Sequence, residues 1–113
     1  MGESVIAGVL SREQIDQLLE RDPPIIDGLI VRDLQLQRNG VDLTLDTVSG
    51  FVGPGTMTLD NANRRLPGTQ EYRFDPDNQI YLPPGSYVVR FNETINLPEN
   101  CMAYTRPRSS LLR

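Results

Sequence analysis

Turn-forming residues interrupt the sequence at short intervals from Pro23 onward, and this feature most constrains the fold. The chain contains nine glycines and nine prolines, and asparagines add further turn signals between them. The segments that lie between these turns look like short strands, which are typical of barrels and sandwiches. We therefore predict an all-β (mainly β) chain that folds as a β-barrel or sandwich.

Two segments show the strongest strand patterns. Val41–Asp46, "VDLTLD", alternates strictly, which places its apolar side chains on one face and its polar side chains on the other. Ser86–Phe91, "SYVVRF", follows a Pro-Pro-Gly turn and is predicted to be another strand. The polar stretch Asn61–Asn78 is predicted to be a long surface loop. Further strands are expected near Leu29 to Leu36, Phe51 to Leu59, Gln79 to Leu82 and Cys101 to Thr105.

One short helix is predicted near the start, within "LSREQIDQLLERDPP". Ser11 and Gln14 have the spacing of a capping box, in which each side chain accepts a hydrogen bond from the other residue's backbone N–H. An apolar stripe that includes Ile15 and Leu19 follows, and the proline pair that starts at Pro23 is expected to end the helix. A helix this short needs a sheet to pack against.

The composition excludes several kinds of chemistry. All eleven basic residues are arginines, and the chain has no histidine. The sequence therefore lacks a phosphate-binding lysine, a Schiff-base lysine, a Ser-His-Asp triad and the usual zinc ligands. Any metal chemistry must rest on carboxylates. A net charge of −4 argues against a nucleic-acid partner, which would require many basic contacts, but it allows a small phosphorylated ligand.

The length and the remaining composition suggest one cytoplasmic domain. A chain of 113 residues suits a single domain with one modest core, spanning 1–113. Cys101 is the only cysteine, so it cannot form an internal disulfide. The N-terminal segment lacks the pattern of a signal peptide, and no segment approaches the roughly 18 apolar residues of a membrane span. We therefore expect an intracellular, cytoplasmic protein with no membrane partner.

The last eight residues, "RPRSSLLR", form a candidate anion site. Arg108, Ser109, Ser110 and Arg113 combine guanidinium groups with hydroxyls, and together with free backbone N–H groups they can bind phosphate oxygens. Arg106 lies beside them. The alternative is a solvated polar loop, which the spacing alone favours because such triplets are common.

Three other features have a functional and a simpler interpretation. Asp42 follows the turn dipeptide Asn39-Gly40, and its carboxylate is a candidate for binding Mg²⁺ through water or a ligand hydroxyl, whereas the simpler alternative is an ordinary solvent-facing strand residue. "DPDN" at Asp75 lacks the glycine and distal glutamate of a calcium loop, so we predict a turn. Cys101 has no histidine or adjacent basic neighbour and is predicted to be a small buried hydrophobe rather than a nucleophile.

Four segments in order resemble the dUTPase and dCTP deaminase superfamily, most closely its archaeal-type dUTPases. These segments are "VLSREQIDQLLE", "NGVDLTLDTV", "YLPPGSYVVRFNETINLPEN" and "AYTRPRSSLLR", and the resemblance, which runs from the first to the last of them, spans nearly the whole chain. "NGVDL" is similar to the first motif of the family, and "PRSSLLR" is similar to the second. Four matched segments in the right order are more specific than either motif alone.

The resemblance implies a jelly-roll-like β-barrel that assembles as a homotrimer and hydrolyses dUTP to dUMP and pyrophosphate with Mg²⁺. Carried over to this sequence, Arg108, Ser109 and Ser110 would hold phosphate oxygens, and Asp42 would support the metal and phosphate region. Arg113 matches an active-site arginine of the deaminase branch. Positioned cations and donors, rather than a covalent nucleophile, are what phosphoryl transfer requires.

The sequence departs from the family pattern because the third motif, which carries the water-activating carboxylate, is missing. The catalytic base is therefore expected to lie beyond Arg113, and the 113-residue chain alone is expected to be inactive. The two motifs that are present serve both branches of the superfamily. A dCTP deaminase, a bifunctional dCTP deaminase/dUTPase and a non-catalytic nucleotide-binding barrel stay open as alternatives to a dUTPase.

Overall fold

The computed structural model describes residues 8–108, which form a mainly β chain. The elements in order are α1 (Arg12–Leu19), β1 (Ile26–Asp27), α2 (Arg32–Gln35), β2 (Leu45–Val52), β3 (Gly68–Tyr72), β4 (Tyr87–Phe91) and β5 (Thr94–Ile95). All strand pairs are antiparallel. The prediction of a mainly β chain with a short N-terminal helix is confirmed, and the antiparallel sheets are consistent with the jelly-roll-like barrel that the resemblance implies.

The contacts divide the chain into two compact units, which are described separately. The first unit comprises the residues up to Asp42 and those from Glu93 onward, and the second comprises Leu43–Asn92. The candidate site residues that the structure describes belong to the first unit. The single domain over 1–113 stays a prediction. Among residues 8–108, no helix is long and apolar enough to cross a membrane.

The core of the first unit lies between α1 and the segments that follow it. Ile15, Leu19, Ile25 and Leu36 are each between 3% and 8% exposed and form one cluster. Each of these side chains contributes about 1.5 to 3 kcal/mol by leaving water. Val41, next to the candidate site, packs against the same cluster. Leu36 and Val41 therefore anchor in this core the two ends of the segment that leads from α2 to Asp42.

The predicted capping box is present at the start of α1. The backbone N–H of Gln14 donates to Ser11 Oγ at 3.2 Å, and the backbone N–H of Ser11 donates to Gln14 Oε1 at 2.9 Å. The helix ends at Leu19, with Glu20 as C-cap, a little before the proline pair that was expected to end it. A helix of this length is not stable alone, so it depends on burial of Ile15 and Leu19 and on this cap.

Replacing Ser11 with alanine should lower the free energy of unfolding by about 1 kcal/mol, because the Gln14 N–H loses its acceptor. Urea denaturation of the full-length protein measures this change. Ser86→Ala is the matched control, since Ser86 is exposed and precedes β4. Equal losses in the two variants would mean that the capping box contributes nothing to stability.

Exposed ion pairs join α2 to α1. Arg32 lies 2.7 Å from Asp16 Oδ1 and 2.8 Å from Glu20 Oε1. Hydrogen bonds from Arg32 to these two carboxylates raise the pKa of its guanidinium group. Because both carboxylates are more than half exposed, solvent screens the pairs and they add little to stability. Arg12 also donates to the carbonyl oxygen of Leu36, which ties the start of α1 to the end of α2.

Hydrogen bonds connect the two chain segments of the first unit. β1 pairs with β5, with Ile26 opposite Ile95. The N–H of Asn96 donates to the carbonyl of Ile25 at 2.8 Å, and its side-chain amide donates to the carbonyl of Pro24 at 3.0 Å. This pairing brings the residues that precede β5, including Glu93, to the part of the chain that contains α2.

The second unit contains a three-stranded antiparallel sheet in the order β3-β2-β4. Val48, in the centre of β2, is 2% exposed and lies opposite Tyr72 of β3 and Val89 of β4. The β2–β4 register shifts between Leu45 and Thr47, where one strand carries an extra residue. The strand predicted at Ser86–Phe91 is confirmed as β4.

Several predicted boundaries are wrong. The strict alternation of "VDLTLD" does not give a strand over its whole length, since β2 begins only at Leu45 and residues 41–44 are all half-buried. The predicted strand over Leu29 to Leu36 instead contains the one-turn helix α2. The polar stretch predicted to be a loop contains β3, and β2 ends at Val52 rather than near Leu59. Gln79 to Leu82 and Cys101 to Thr105 form no strands.

Candidate phosphate and metal site

Asp42 and Arg108, two of the residues that the sequence singles out, lie next to each other in the first unit. Arg108 Nε is 3.9 Å from Asp42 Oδ2, which is within ion-pair range but too long for a hydrogen bond. The Asp42 side chain is 31% exposed and the Arg108 side chain is 68% exposed. The arrangement therefore presents one carboxylate and one guanidinium to solvent at the same place.

A tight hairpin leads into Asp42. The N–H of Gln37 donates to the carbonyl of Gly40 at 2.8 Å, and Leu36 forms an isolated bridge with Val41. The turn predicted from Asn39-Gly40 is therefore present. It brings Asp42 back beside α2, because the two arms of the hairpin end at residues 35 and 42.

Two glutamines hold Asp42 in place. The N–H of Asp42 donates to the carbonyl of Gln35 at 2.8 Å, and Gln35 Nε2 donates to the carbonyl of Asp42 at 2.9 Å. Gln37 Nε2 lies 3.3 Å from Asp42 Oδ2. Gln35 thus contacts both backbone polar groups of Asp42, and Gln37 contacts its carboxylate. Asp42 is therefore not the freely solvated strand residue of the simpler interpretation.

A buried polar pair lies behind Asp42, and sequence reasoning missed it. Gln35 Nε2 donates to Glu93 Oε2 at 2.9 Å, and the two residues are 5% and 7% exposed. A polar residue between Leu34 and Leu36, within a stretch predicted to be a strand, was the available signal. It was not sufficient to identify Glu93, which is 58 positions away in the sequence.

Comparison with protein families decides the identity of the chain. A family model described as "dCTP deaminase-like" matches residues 9–113. The chain belongs to the dCTP deaminase-like family. This match includes the first and second motifs and every described residue of the candidate site.

Curated relatives of this dCTP deaminase-like chain carry dUTP-related names. A probable deoxyuridine 5'-triphosphate nucleotidohydrolase of Methanosarcina mazei is 37% identical over 93% of the chain and 61% of its own length. A protein of the same name from Archaeoglobus fulgidus is 38% identical with the same coverage. The deoxyuridine 5'-triphosphate nucleotidohydrolase of Methanocaldococcus jannaschii is 36% identical over 70% of the chain and 51% of its own length. The chain spans about three-fifths of the length of the first of these relatives. No solved structure gives a significant match.

The second motif of this dCTP deaminase-like chain is described only in part. Arg108 belongs to it and is described, whereas Ser109, Ser110 and Arg113 lie outside the described residues. The roles predicted for these three residues stay predictions. For Arg108, the structure describes an ion pair with Asp42.

The described residues offer a single partly exposed carboxylate at the candidate site, rather than a cluster of metal ligands. Among residues 8–108, no three histidine, cysteine, aspartate or glutamate side chains lie close enough to hold a metal together. Mg²⁺ keeps several waters and commonly binds through one or two carboxylates and substrate phosphates. The partly exposed carboxylate of Asp42, next to a guanidinium, fits that kind of site.

The remaining candidates are structural. Asp75 Oδ1 accepts hydrogen bonds from the N–H groups of Asp77 and Gln79, at 2.9 and 2.8 Å. The carboxylate thus closes the turn predicted for "DPDN". Cys101 is half-buried rather than fully buried, and its Sγ lies 3.6 Å from Asn100 Oδ1. Among the described residues, no basic group forms a hydrogen bond with the Cys101 thiol that could activate it.

Proposed function

We propose that the protein is a dUTP diphosphatase, which hydrolyses dUTP to dUMP and pyrophosphate in deoxynucleotide metabolism with Mg²⁺. The observation that carries the proposal is the meeting of Asp42 and Arg108, because one group suits the metal side of a nucleoside triphosphate and the other suits its phosphate oxygens. The names of the relatives support dUTP as the substrate.

The residues of this chain would position charge rather than react covalently. Arg108, together with Ser109, Ser110 and Arg113, would bind phosphate oxygens and stabilise the charge that develops as water attacks the α-phosphorus. The bond between that phosphorus and the bridging oxygen breaks, and pyrophosphate leaves. Asp42 would bind the metal through water or through the phosphate region. Mg²⁺, when bound, would neutralise part of the triphosphate charge. None of the described residues is proposed as the carboxylate that activates the water.

Deamination of dCTP is the second candidate, because the family model that matches the chain is described as dCTP deaminase-like. Incubation of the full-length protein with dUTP and with dCTP separates the possibilities. A dUTP diphosphatase releases pyrophosphate from dUTP and no ammonia from dCTP. A deaminase releases ammonia and dUTP from dCTP, and a bifunctional enzyme releases ammonia, dUMP and pyrophosphate. Binding of both nucleotides without any product would identify a binding module and overturn the proposal.

A homotrimer is the expected assembly. The sheet of the second unit supports association, since Phe51, Val52, Val88 and Val89 are each between 43% and 56% exposed. Apolar surface of this kind is common at contacts between subunits. Light scattering of the full-length protein at micromolar concentration should give the mass of three chains. A monomer under these conditions would contradict the expectation.

A further inference from the structure

The side chain of Gln35 uses its full hydrogen-bonding capacity. Its Oε1 accepts from the N–H groups of Ile30 and Val31, each at 2.8 Å. Its Nε2 donates to the carbonyl of Asp42 and to Glu93 Oε2, each at 2.9 Å. An amide has two acceptor lone pairs and two N–H donors, so the geometry leaves it no unused group. The Gln35 side chain therefore connects three parts of the first unit. These are the backbone that leads into α2, the end of the hairpin at Asp42, and Glu93 just before β5.

This network specifies one position for Asp42. Gln35 and Glu93 are both more than nine-tenths buried, and leaving one buried polar group unsatisfied costs about 1 to 3 kcal/mol. The backbone carbonyl of Gln35 also accepts from the N–H of Asp42 at 2.8 Å. Both backbone polar groups of Asp42 are thus fixed by one residue, and that residue is held in place by a buried carboxylate.

We propose that Gln35, oriented by Glu93, is a positioning residue that sets the place of the Asp42 carboxylate for binding a magnesium-bound polyphosphate. The inference rests on the proposed function for the identity of the ligand, but its geometric part does not depend on that function. Gln35 acts through Asp42, since it is 5% exposed and Asp42 is 31% exposed at the side chain.

The chemistry of position 35 favours glutamine over similar residues. A glutamate would bring a second carboxylate against Glu93, and a methionine of similar length would leave the N–H groups of Ile30 and Val31 and the carboxylate of Glu93 without this partner. An asparagine is one methylene shorter and would not span all four contacts. Positioning of a ligand by a buried amide is also consistent with the roughly ten- to hundredfold effects that residues behind metal ligands have on binding or activity.

The test combines two measurements on the full-length protein and the variants Gln35→Met and Gln17→Met. Gln17→Met is the matched control, because Gln17 is exposed on α1 and the chemical change is the same. Calorimetry measures binding of a non-hydrolysable dUTP analogue with and without Mg²⁺. Hydrogen exchange followed by NMR measures protection of the Asp42 amide, with the amide of Val48 as an internal reference.

Gln35→Met should weaken magnesium-dependent binding by about tenfold and leave magnesium-free binding nearly unchanged. The same substitution in an Asp42→Asn background should have no further effect on binding. Exchange at Asp42 should become faster while exchange at Val48 does not. Gln17→Met should change none of these values.

Other outcomes overturn the proposal in distinguishable ways. If Gln35→Met weakens binding equally in the unmodified protein and in the Asp42→Asn background, Gln35 has a structural role only. If no nucleotide binds to any variant, the proposed function fails. Faster exchange at Asp42 in Gln35→Met would then still support the claim that Gln35 positions Asp42. If Gln35→Met does not fold, Glu93→Gln replaces it, because the amide keeps an acceptor for Gln35 and should give a smaller change in the same direction. Unchanged exchange and binding in Glu93→Gln would refute the role of the pair.

Discussion

Replacing Arg108 with alanine should weaken binding of a non-hydrolysable dUTP analogue by roughly ten- to a hundredfold. A hydrogen bond to an ionised group is worth about 1.5 to 3 kcal/mol, and each 1.4 kcal/mol corresponds to a factor of about ten in affinity. Arg108→Lys should restore part of the affinity, because an ammonium group keeps the charge but not the planar pair of donors. Calorimetry on the full-length protein in the presence of magnesium measures the series.

Arg73→Ala provides the control for charge, since Arg73 is exposed and directly follows β3 in the other unit. It should bind the analogue as the unmodified protein does. The side chain of Arg108 is 68% exposed, so its removal should leave the fold intact. Equal affinities for the arginine, lysine and alanine forms at position 108 would mean that this end of the chain is a solvated turn.

Asp42→Asn should lower magnesium-dependent dUTP turnover by about ten- to a hundredfold while the protein keeps its fold, as is typical when a group that supports a metal is changed. The amide cannot supply the negative charge that attracts the cation, but it can still accept a hydrogen bond from Gln37. Loss of the exposed pair with Arg108 should reduce stability by at most about 1 kcal/mol. Turnover measured across a magnesium titration and thermal unfolding of the same samples give the two quantities.

Asp46→Asn is the matched control, because Asp46 is an exposed aspartate four positions further along the chain, in β2 of the second unit. It removes the same charge from a residue that is not part of the candidate site and should leave the magnesium dependence unchanged. If Asp42→Asn lowers the melting temperature but alters neither turnover nor its magnesium dependence, Asp42 is a structural residue. Equal losses of turnover in both variants would point to overall charge rather than to a specific site.

Sequence reasoning was most accurate where the interactions are local. The capping box of Ser11 and Gln14 and the turn at Asn39-Gly40 each depend on residues that are a few positions apart, so their spacing alone carries the information. The family motifs likewise pointed to Asp42 and Arg108. The structure added that these two side chains lie together, which their wide separation along the chain does not reveal.

The errors arise where long-range contacts override a local pattern. The apolar stretch that includes Ile30 and Val31 suggested a strand, but the N–H groups of these residues donate to the side chain of Gln35 instead of to a neighbouring strand. Likewise, the alternation of "VDLTLD" predicts sheet pairing from Val41 onward. The backbone of Asp42 is instead bonded to Gln35, so the strand begins later.

The hydrogen bonds around Gln35 have a consequence for the order in which the candidate site assembles. Its bond to the Asp42 carbonyl joins residues seven positions apart, whereas its bond to Glu93 joins residues 58 positions apart. The entropic cost of closing a loop rises with the logarithm of its length, so we expect the hairpin contacts to form before the contact with Glu93. The backbone contacts of the hairpin that carries Asp42 are therefore expected to form before Glu93 orients Gln35 and before Arg108 reaches the Asp42 carboxylate. A chain with only these local contacts has Asp42 without Arg108 beside it, and we expect the candidate site to be complete only when the segment that contains Glu93 and Arg108 has packed against the hairpin.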